Sequence, residues 1–178
     1  PDVAVANFSS SNVSVLKNIS TTGTINFAPK IDLPAGSGQP DQIVITDIDG
    51  YGKPDIVVGI RNTNMVRIFR NNSFGNTLSF NQGFDINTTA MPYRLRCSDL
   101  DNDGKPDIVF TDGTGSSLNI IRNTSTIGNI SFAPSVGTTV FANLSAFAIG
   151  DLNDDTKPEI AVTAQVGQPL AILQNTST

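Results

Sequence analysis

The chain has 178 residues, of which 16 are acidic and 11 basic, and its net charge of −5 argues against a nucleic-acid-binding surface. It contains no run of 18 apolar residues, so no membrane-spanning helix is expected. The absence of histidine excludes Ser-His-Asp and Cys-His catalysis, and a single cysteine excludes an internal disulfide.

Three series of short segments recur along the chain at nearly constant spacing. The first series, PDVAVAN, PDIVVGI, PDIVFTD and PEIAVTA, starts at positions 1, 54, 106 and 158. The second series, VSVLKNIS, VRIFRNNS, LNIIRNTS and LAILQNTS, starts at positions 13, 66, 118 and 170. The third series is INFAP, LSFNQ and ISFAP, starting at positions 25, 78 and 130. The chain is therefore built from a repeated unit of about 52 residues.

Each unit is predicted to contain four short strands separated by turn-forming residues. In one complete unit we place them at 93–98, 106–111, 117–122 and 130–137. The alternation in VSVL and VRIF predicts half-buried strands, whereas the apolar run DIVVGI predicts a strand covered on both faces. Repeats of a β-solenoid, the alternative, are usually much shorter. The predicted fold class is therefore all-β, with β-propeller blades of four antiparallel strands.

The chain starts and stops out of phase with this repeat. We predict one repeat domain over 1–178: a partial blade 1–40 with strands two to four, full blades 41–92 and 93–144, and a partial blade 145–178 with strands one to three. Because propellers typically have four to eight blades, these units form a partial ring or a ring completed by another chain. Unpaired edge strands invite pairing, so two expectations stand: a homo-oligomer joined through the open blade edges, or excision from a longer protein.

Two further features have simple packing interpretations. Phe27, Phe80 and Phe132 recur once per unit, and we predict that they pack between neighbouring blades; a ligand-stacking ring is the alternative. Cys97 lies in an alternating apolar stretch and is predicted to be a small buried hydrophobic residue.

Acidic side chains are concentrated at the unit boundaries, in DIDGYGKPD (47–55), DLDNDGKPD (99–107) and DLNDDTKPE (151–159). Together with Asp2, these segments hold 12 of the 16 acids. Neighbouring like charges repel, so these loops require either a bound cation or wide exposure to water as solvated acidic turns. The spacing D-x-D-x-D-G-x-x-D suits calcium, which takes six to eight oxygen ligands in a flexible shell, and magnesium is less suited. The glycine permits the positive φ that closes such a loop.

At these residues the chain resembles the FG-GAP repeats, also called VCBS-type repeats, of integrin α-subunit propellers and many bacterial surface proteins. The resemblance covers the whole chain, and it implies that each acidic loop joins the first and second strands of a blade on one face of the ring. In the loop 99–107 it implies side-chain ligands at Asp99, Asp101, Asp103 and Asp107, with the backbone carbonyl of Lys105. The corresponding positions in the other two loops are Asp47, Asp49, Tyr51, Lys53 and Asp55, and Asp151, Asn153, Asp155, Lys157 and Glu159.

Two departures from the pattern affect the expected sites. Tyr51 stands where the third acid of the loop 47–55 belongs, so weaker binding is expected there. Thr156 replaces the glycine of the loop 151–159, and a β-branched residue resists a positive φ. Two or three calcium ions are therefore expected, with the best site in the loop 99–107.

The resemblance implies a non-catalytic, calcium-stabilised module of a secreted or cell-surface protein, used for adhesion, for protein or glycan binding, or as a scaffold. One alternative is the propeller domain of a polysaccharide lyase or hydrolase, and another is a structural fragment that assembles with copies of itself. An enzyme without histidine would need a general base among the acids outside the loops, with arginines to bind an acidic sugar. Those residues are Asp32, Asp41, Asp85 and Asp112, and Arg61, Arg67, Arg94 and Arg96.

Overall fold

A computed structural model of the chain describes residues 2–113, 115–164 and 170–177, and they form strands with one short 3-10 turn at Phe8–Ser10. The strands are β1 (Val3–Asn7), β2 (Asn12–Leu16), β3 (Ile31–Pro34), β4 (Gln39–Thr46), β5 (Asp55–Arg61), β6 (Met65–Phe69), β7 (Phe84–Asn87), β8 (Pro92–Ser98), β9 (Asp107–Asp112), β10 (Ser117–Ile121), β11 (Val136–Thr139), β12 (Leu144–Gly150), β13 (Glu159–Ala164) and β14 (Ala171–Leu173).

These strands form four antiparallel sheets in which consecutive strands are neighbours. The first sheet is β1-β2-β3, the second β4-β5-β6-β7, the third β8-β9-β10-β11 and the fourth β12-β13-β14. None of the sheets closes on itself, and the arrangement matches partial propeller blades, so the predicted fold class is confirmed. Among the described residues, β1 and β14 each have a single hydrogen-bonded neighbour in their sheets. No helix in the described ranges is long and apolar enough to cross a lipid bilayer.

The fourth strand of the unit is misplaced in the sequence prediction. The outer strand of the third sheet is Val136–Thr139, whereas the segment 130–134 forms one arm of a narrow hairpin, with bridges Asn123↔Phe132 and Thr126↔Asn129. The Ser125 hydroxyl accepts a hydrogen bond from the Ser131 amide at 3.0 Å, which satisfies this arm locally. The alternation of ISFAP therefore comes from a local hairpin rather than from the sheet ladder. We call residues 123–132 and their equivalents 18–27 and 71–80 the linking hairpins.

The core lies between neighbouring sheets, and β5 and β9, the second strands of the two four-stranded sheets, each contribute to two core layers. In β5, Ile56, Val58 and Ile60 pack with residues of the first sheet, while Val57 packs with residues of the third. In β9, Ile108 and Phe110 pack with residues of the second sheet, while Val109 packs with residues of the fourth. The prediction that DIVVGI forms a strand covered on both faces is confirmed, because the second sheet packs between the first and the third.

The recurring phenylalanines follow this layering in two of three units. Phe80 packs against the cluster between the first and second sheets, and Phe132 against the cluster between the second and third, as predicted. Phe27 is partly buried and belongs to none of the three clusters of the described core. Cys97 packs against the same cluster as Phe132, where burial raises the pKa of its thiol to about 12 and keeps it neutral at physiological pH. Its role is that of a small apolar residue.

Candidate functional site

The three acidic loops share one backbone conformation. Each connects the first strand of a four-strand unit to the second, and the fourth and sixth loop positions have positive φ. These positions are Gly50 and Gly52, Asn102 and Gly104, and Asp154 and Thr156. The left-handed residues turn backbone amides inward, toward the first acid of the loop. We call 47–55, 99–107 and 151–159 the first, second and third acidic loops.

The first acid of each loop accepts hydrogen bonds from the loop backbone. One oxygen of Asp99 accepts from the Gly104 amide at 2.8 Å, and the other accepts from the Asp103 amide at 3.2 Å. Asp47 accepts from Gly52 at 2.7 Å in the same way. These bonds are possible because the sixth residue adopts the left-handed conformation. Glycine adopts this conformation without strain at the sixth position of the first two loops, whereas the third loop adopts it with Thr156.

Thr156 does not distort the third loop as the sequence suggests it would. Its φ is 71°, close to the 82° of Gly104, and its amide donates to Asp151 at 2.8 Å. The β-branched side chain is therefore held in a conformation that costs roughly 1–2 kcal/mol for a residue with a Cβ atom.

Replacing Thr156 by glycine is expected to stabilise the protein. The strain of the left-handed residue is removed, and part of the gain is offset by the greater freedom of glycine in the unfolded chain, leaving roughly 0.5–1 kcal/mol. Urea unfolding followed by circular dichroism measures this difference. The reverse change, Gly104→Thr, is the control and is expected to destabilise by a similar amount. A loss of stability in Thr156→Gly would show that the threonine is not strained.

The last acid of each loop is buried and bonded to the backbone on both sides. Asp107 is 2% exposed, and its two oxygens accept from the amides of Leu100 at 3.1 Å and Asn123 at 2.7 Å. Burial raises the pKa of Asp107, and the nearby carboxylates of Asp101 and Asp103 add to the shift. Burial is also the main cause of the raised pKa of Asp55 in the first loop. A cation placed among these carboxylates would favour their ionised forms.

Three carboxylates converge in the second acidic loop. Asp99, Asp101 and Asp107 each present one oxygen within 4.8 Å of the others. Two ligands that bind one calcium ion at about 2.4 Å can be at most about 4.8 Å apart, so these oxygens fit a shared ion. Asp101 adds a second observation, because its Oδ1 is buried without a hydrogen-bond partner. Such a group costs free energy unless a cation or a hydrogen-bond donor satisfies it.

The first loop brings together Asp47, Asp49 and Asp55 within the same 4.8 Å limit. Asp49 has a side chain that is 1% exposed, and the Nε of Arg70 donates to its Oδ2. Tyr51, at the position of the third acid, has its ring centroid 5.0 Å from the Arg70 guanidinium. The tyrosine therefore stacks on a cation.

Several predicted ligands lie outside these three-acid groups. Asp103 accepts from the Lys105 amide at 3.0 Å and contacts the Lys105 ammonium at 3.3 Å. In the third loop, the Asn153 side chain donates to Asp155 at 3.1 Å, and no three-acid group forms among the loop's described residues. Glu159 takes the place of the last acid there, accepting from the Leu152 amide at 2.9 Å. The side chains of Lys53 and Lys157 donate to the carbonyls of Ser73 and Ser177.

Sequence reasoning missed the asparagine that joins neighbouring loops. Asn123 is fully buried, and its amide group donates to the carbonyls of Ile48 at 2.9 Å and Pro106 at 3.0 Å. It thereby ties the second acidic loop to the first. The linking hairpin that starts at Asn123 also lines a cleft with residues of both loops. The available signal was the recurrence of this asparagine at positions 18, 71, 123 and 175.

The acids considered for catalysis all have partners. Asp32 binds Lys30, Asp41 contacts Arg61 at 3.4 Å, and Asp85 binds Arg67 at 2.6 Å. Asp112 accepts from the Ser116 amide at 3.1 Å and from the Ser117 hydroxyl at 2.7 Å, capping the turn after β9. Ion pairing and turn capping account for these side chains. Of the other arginines named above, Arg94 donates to the Ser145 carbonyl at 3.3 Å, and Arg96 is exposed.

Comparison with known proteins identifies the family of the repeats. No match was found among curated proteins. The family model described as an FG-GAP-like repeat matches the chain twice, over residues 47–110 and 99–162. Each match begins at the first acid of an acidic loop and runs to the second strand of the following unit. Together the matches span more than half of the 178 residues. The chain therefore belongs to the FG-GAP-like repeat family.

Proposed function

We propose that the chain is a non-catalytic, calcium-stabilised β-propeller module of a secreted or cell-surface protein. In this proposal the four units 1–40, 41–92, 93–144 and 145–178 form one repeat domain that binds a protein or glycan partner, or serves as a scaffold. FG-GAP repeats are typical of extracellular proteins and are generally non-catalytic. The four acids considered as a general base each form an ion pair or accept hydrogen bonds, and this supports a non-catalytic function. They are Asp32, Asp41, Asp85 and Asp112.

The observation that carries the calcium proposal is the second acidic loop. Its carboxylate oxygens converge within 4.8 Å, and one of them, Asp101 Oδ1, is buried without a partner. Asp99, Asp101 and Asp107 would hold the ion, with Asp103 and the Lys105 carbonyl as the remaining proposed ligands. The corresponding residues of the first and third loops would hold one or two further ions. Calcium would supply positive charge that neutralises these carboxylates and stabilises the folded state.

Calcium binding is expected to raise the thermal stability of chelator-stripped protein. A ligand at 100 times its Kd stabilises the folded state by about 2.7 kcal/mol, which corresponds to a rise in Tm of roughly 5–10 °C for a chain of this size. Calorimetric titration is expected to show two or three sites, with affinities near the millimolar range of extracellular calcium modules. Magnesium at the same concentrations serves as the ion control.

A matched pair of variants tests whether calcium binds in the second acidic loop. Asp101→Asn removes the carboxylate with the unpartnered oxygen and is expected to abolish one site. Asp154→Asn removes an exposed acid of the third loop that is not among the proposed ligands, and it is expected to leave binding unchanged. If neither heat nor a shift in Tm accompanies calcium addition to the unmodified chain, the loops are ordinary acidic turns and the calcium proposal fails.

The open edges at β1 and β14 support a second part of the proposal. Each strand lacks a hydrogen-bonded neighbour on one side among the described residues, and such edges pair readily with other strands. Another copy of the chain is the proposed occupant. Light scattering that gives the mass of a dimer would support this pairing, and the mass of a monomer would contradict it.

A further inference from the structure

The second acid of two acidic loops is paired with an arginine from the end of a neighbouring strand. Arg70 follows β6 and binds Asp49, and Arg122 follows β10 and binds Asp101. The equivalent position in the last unit is Gln174, which carries no charge. The three loops therefore differ in the positive charge that the chain itself supplies.

In the first loop this cation is held on several sides. Arg70 donates through Nε to Asp49, whose side chain is 1% exposed, and through Nη1 to the side-chain oxygen of Asn72 at 3.2 Å. Its guanidinium also lies 5.0 Å from the centroid of the Tyr51 ring. The Arg70 side chain is only 21% exposed. The residue that departs from the calcium pattern, Tyr51, is thus one of the groups that hold the arginine in place.

In the second loop the arginine is held more loosely. Arg122 Nε lies 2.5 Å from Asp101 Oδ2, and its Nη2 is 3.7 Å from Asp103. The Arg122 side chain is 59% exposed, and no aromatic ring of the described residues stacks on it. Asp101 also keeps a second oxygen that Arg122 does not satisfy.

We infer that Arg70 is the resident cation of the first acidic loop and raises the calcium concentration needed to fill that loop above the concentration that fills the second loop. This inference rests on the proposed calcium function and adds an order of filling to it. A metal ion entering the first loop would meet a guanidinium already bound to Asp49, and two cations beside one buried carboxylate repel strongly. Arg70 can leave only by giving up Asp49, Asn72 and Tyr51 together.

Arg122 also pairs with a carboxylate of its loop, but it is easier to displace than Arg70. Most of its side chain is already in water, so it can move aside when an ion binds Asp101. The third loop has no competing arginine, but it has Asn153 in place of the second acid and therefore less negative charge at its proposed ligand positions than the second loop. The best site is the second loop, because it combines three converging carboxylates with a displaceable cation.

Amide resonances of two equivalent glycines report the two loops separately. Gly52 and Gly104 occupy the same loop position, and each donates to the first acid of its own loop. In a calcium titration of the chelator-stripped chain, followed by ¹H–¹⁵N NMR, the Gly104 signal is expected to move at lower calcium concentrations than the Gly52 signal. In Arg70→Gln, the Gly52 midpoint is expected to fall at least about tenfold, with that of Gly104 unchanged.

Two controls separate charge from other effects. Arg70→Lys keeps a positive charge and is expected to leave the Gly52 midpoint within about threefold of the unmodified value. Gln174→Arg adds the competing charge to the third loop at an exposed position that is not expected to disturb folding. It is expected to raise the calcium midpoint of the Thr156 amide at least about threefold. This mirror variant keeps the test decisive if Arg70→Gln does not fold.

The outcomes distinguish failure of the inference from failure of the calcium function. If Gly52 and Gly104 move together, or if the Gly52 midpoint is the same in Arg70→Gln, the arginine does not control filling, although the chain still binds calcium. If no loop amide moves in the unmodified chain or in Arg70→Gln, the calcium function itself fails and the inference fails with it.

Discussion

Phe110→Ala is expected to lower the free energy of unfolding by about 3–5 kcal/mol. The Phe110 side chain is fully buried in the cluster between the second and third sheets, where it packs with Val57, Ile68 and Leu95. Removing the ring forfeits the apolar burial and leaves a cavity, because the strands on both sides are held by their own ladders and relax only in part. Denaturant unfolding monitored by circular dichroism, in the presence of chelator, measures the loss.

Phe74→Ala is the matched control for this substitution. Phe74 lies in a linking hairpin and is 87% exposed, so its truncation is expected to change stability by no more than about 0.5 kcal/mol. Equal effects of the two substitutions would mean that the sheets do not share the core described above. A large effect at Phe110 alone supports a stack of sheets whose stability depends on the contacts between neighbours.

The strands that make the sheets could be predicted because their signal is local. The apolar run DIVVGI predicts a strand covered on both faces, and the structure has β5 there, with β9 at the equivalent segment of the next repeat. The repeat spacing then predicts the equivalent strand in the other units. The first unit shares this local structure, because the Asp2 carboxylate accepts from the Asn18 amide at 2.7 Å, as the Asp107 carboxylate does from the Asn123 amide.

The outer strand could not be placed in this way. The alternation in ISFAP is the same for a strand of a sheet and for one arm of a hairpin, and periodicity alone does not tell which partner an arm will find. Here the near arm, beginning at Asn123, is the partner, and the ladder resumes only at Val136. Only residues 136–137 of the predicted strand 130–137 lie in the sheet.

The acidic loops were recognisable, but the charges around them were not. The spacing of acids in the loop 99–107 suits calcium, and the resemblance to FG-GAP repeats implies ligands at Asp99, Asp101, Asp103 and Asp107, all within one continuous loop. The partner of Asp49 is Arg70, 21 residues away, and it is brought there by the return of β6 beside β5. Whether an arginine after a strand points into solvent or into a loop depends on the register with which β6 pairs with β5. The tertiary structure was needed to see that two loops carry an internal cation and that the third does not.

Asn123→Ala is expected to cost about 2–4 kcal/mol of stability. Its side-chain amide is the donor to two carbonyls in neighbouring loops, Ile48 at 2.9 Å and Pro106 at 3.0 Å, and its oxygen accepts from the Ser125 amide at 2.9 Å. Alanine removes all three bonds at a site with no exposure to solvent, so the backbone groups lose their partners without gaining water. Urea unfolding in the presence of chelator measures the effect of this loss apart from any metal.

Asn71 provides the comparison that isolates the contact between loops. Its side chain donates to the Pro54 carbonyl at 2.9 Å and its oxygen accepts from the Ser73 amide at 2.9 Å, but it is only partly buried. Among the described residues it makes no hydrogen bond to the preceding unit, so Asn71→Ala is expected to cost about 1 kcal/mol. If the two substitutions cost the same, the bond from Asn123 to Ile48 contributes nothing. A clear difference means that the bond to the preceding unit, which Asn123 makes to Ile48 and Asn175 makes to Leu100, stabilises two adjacent acidic loops together.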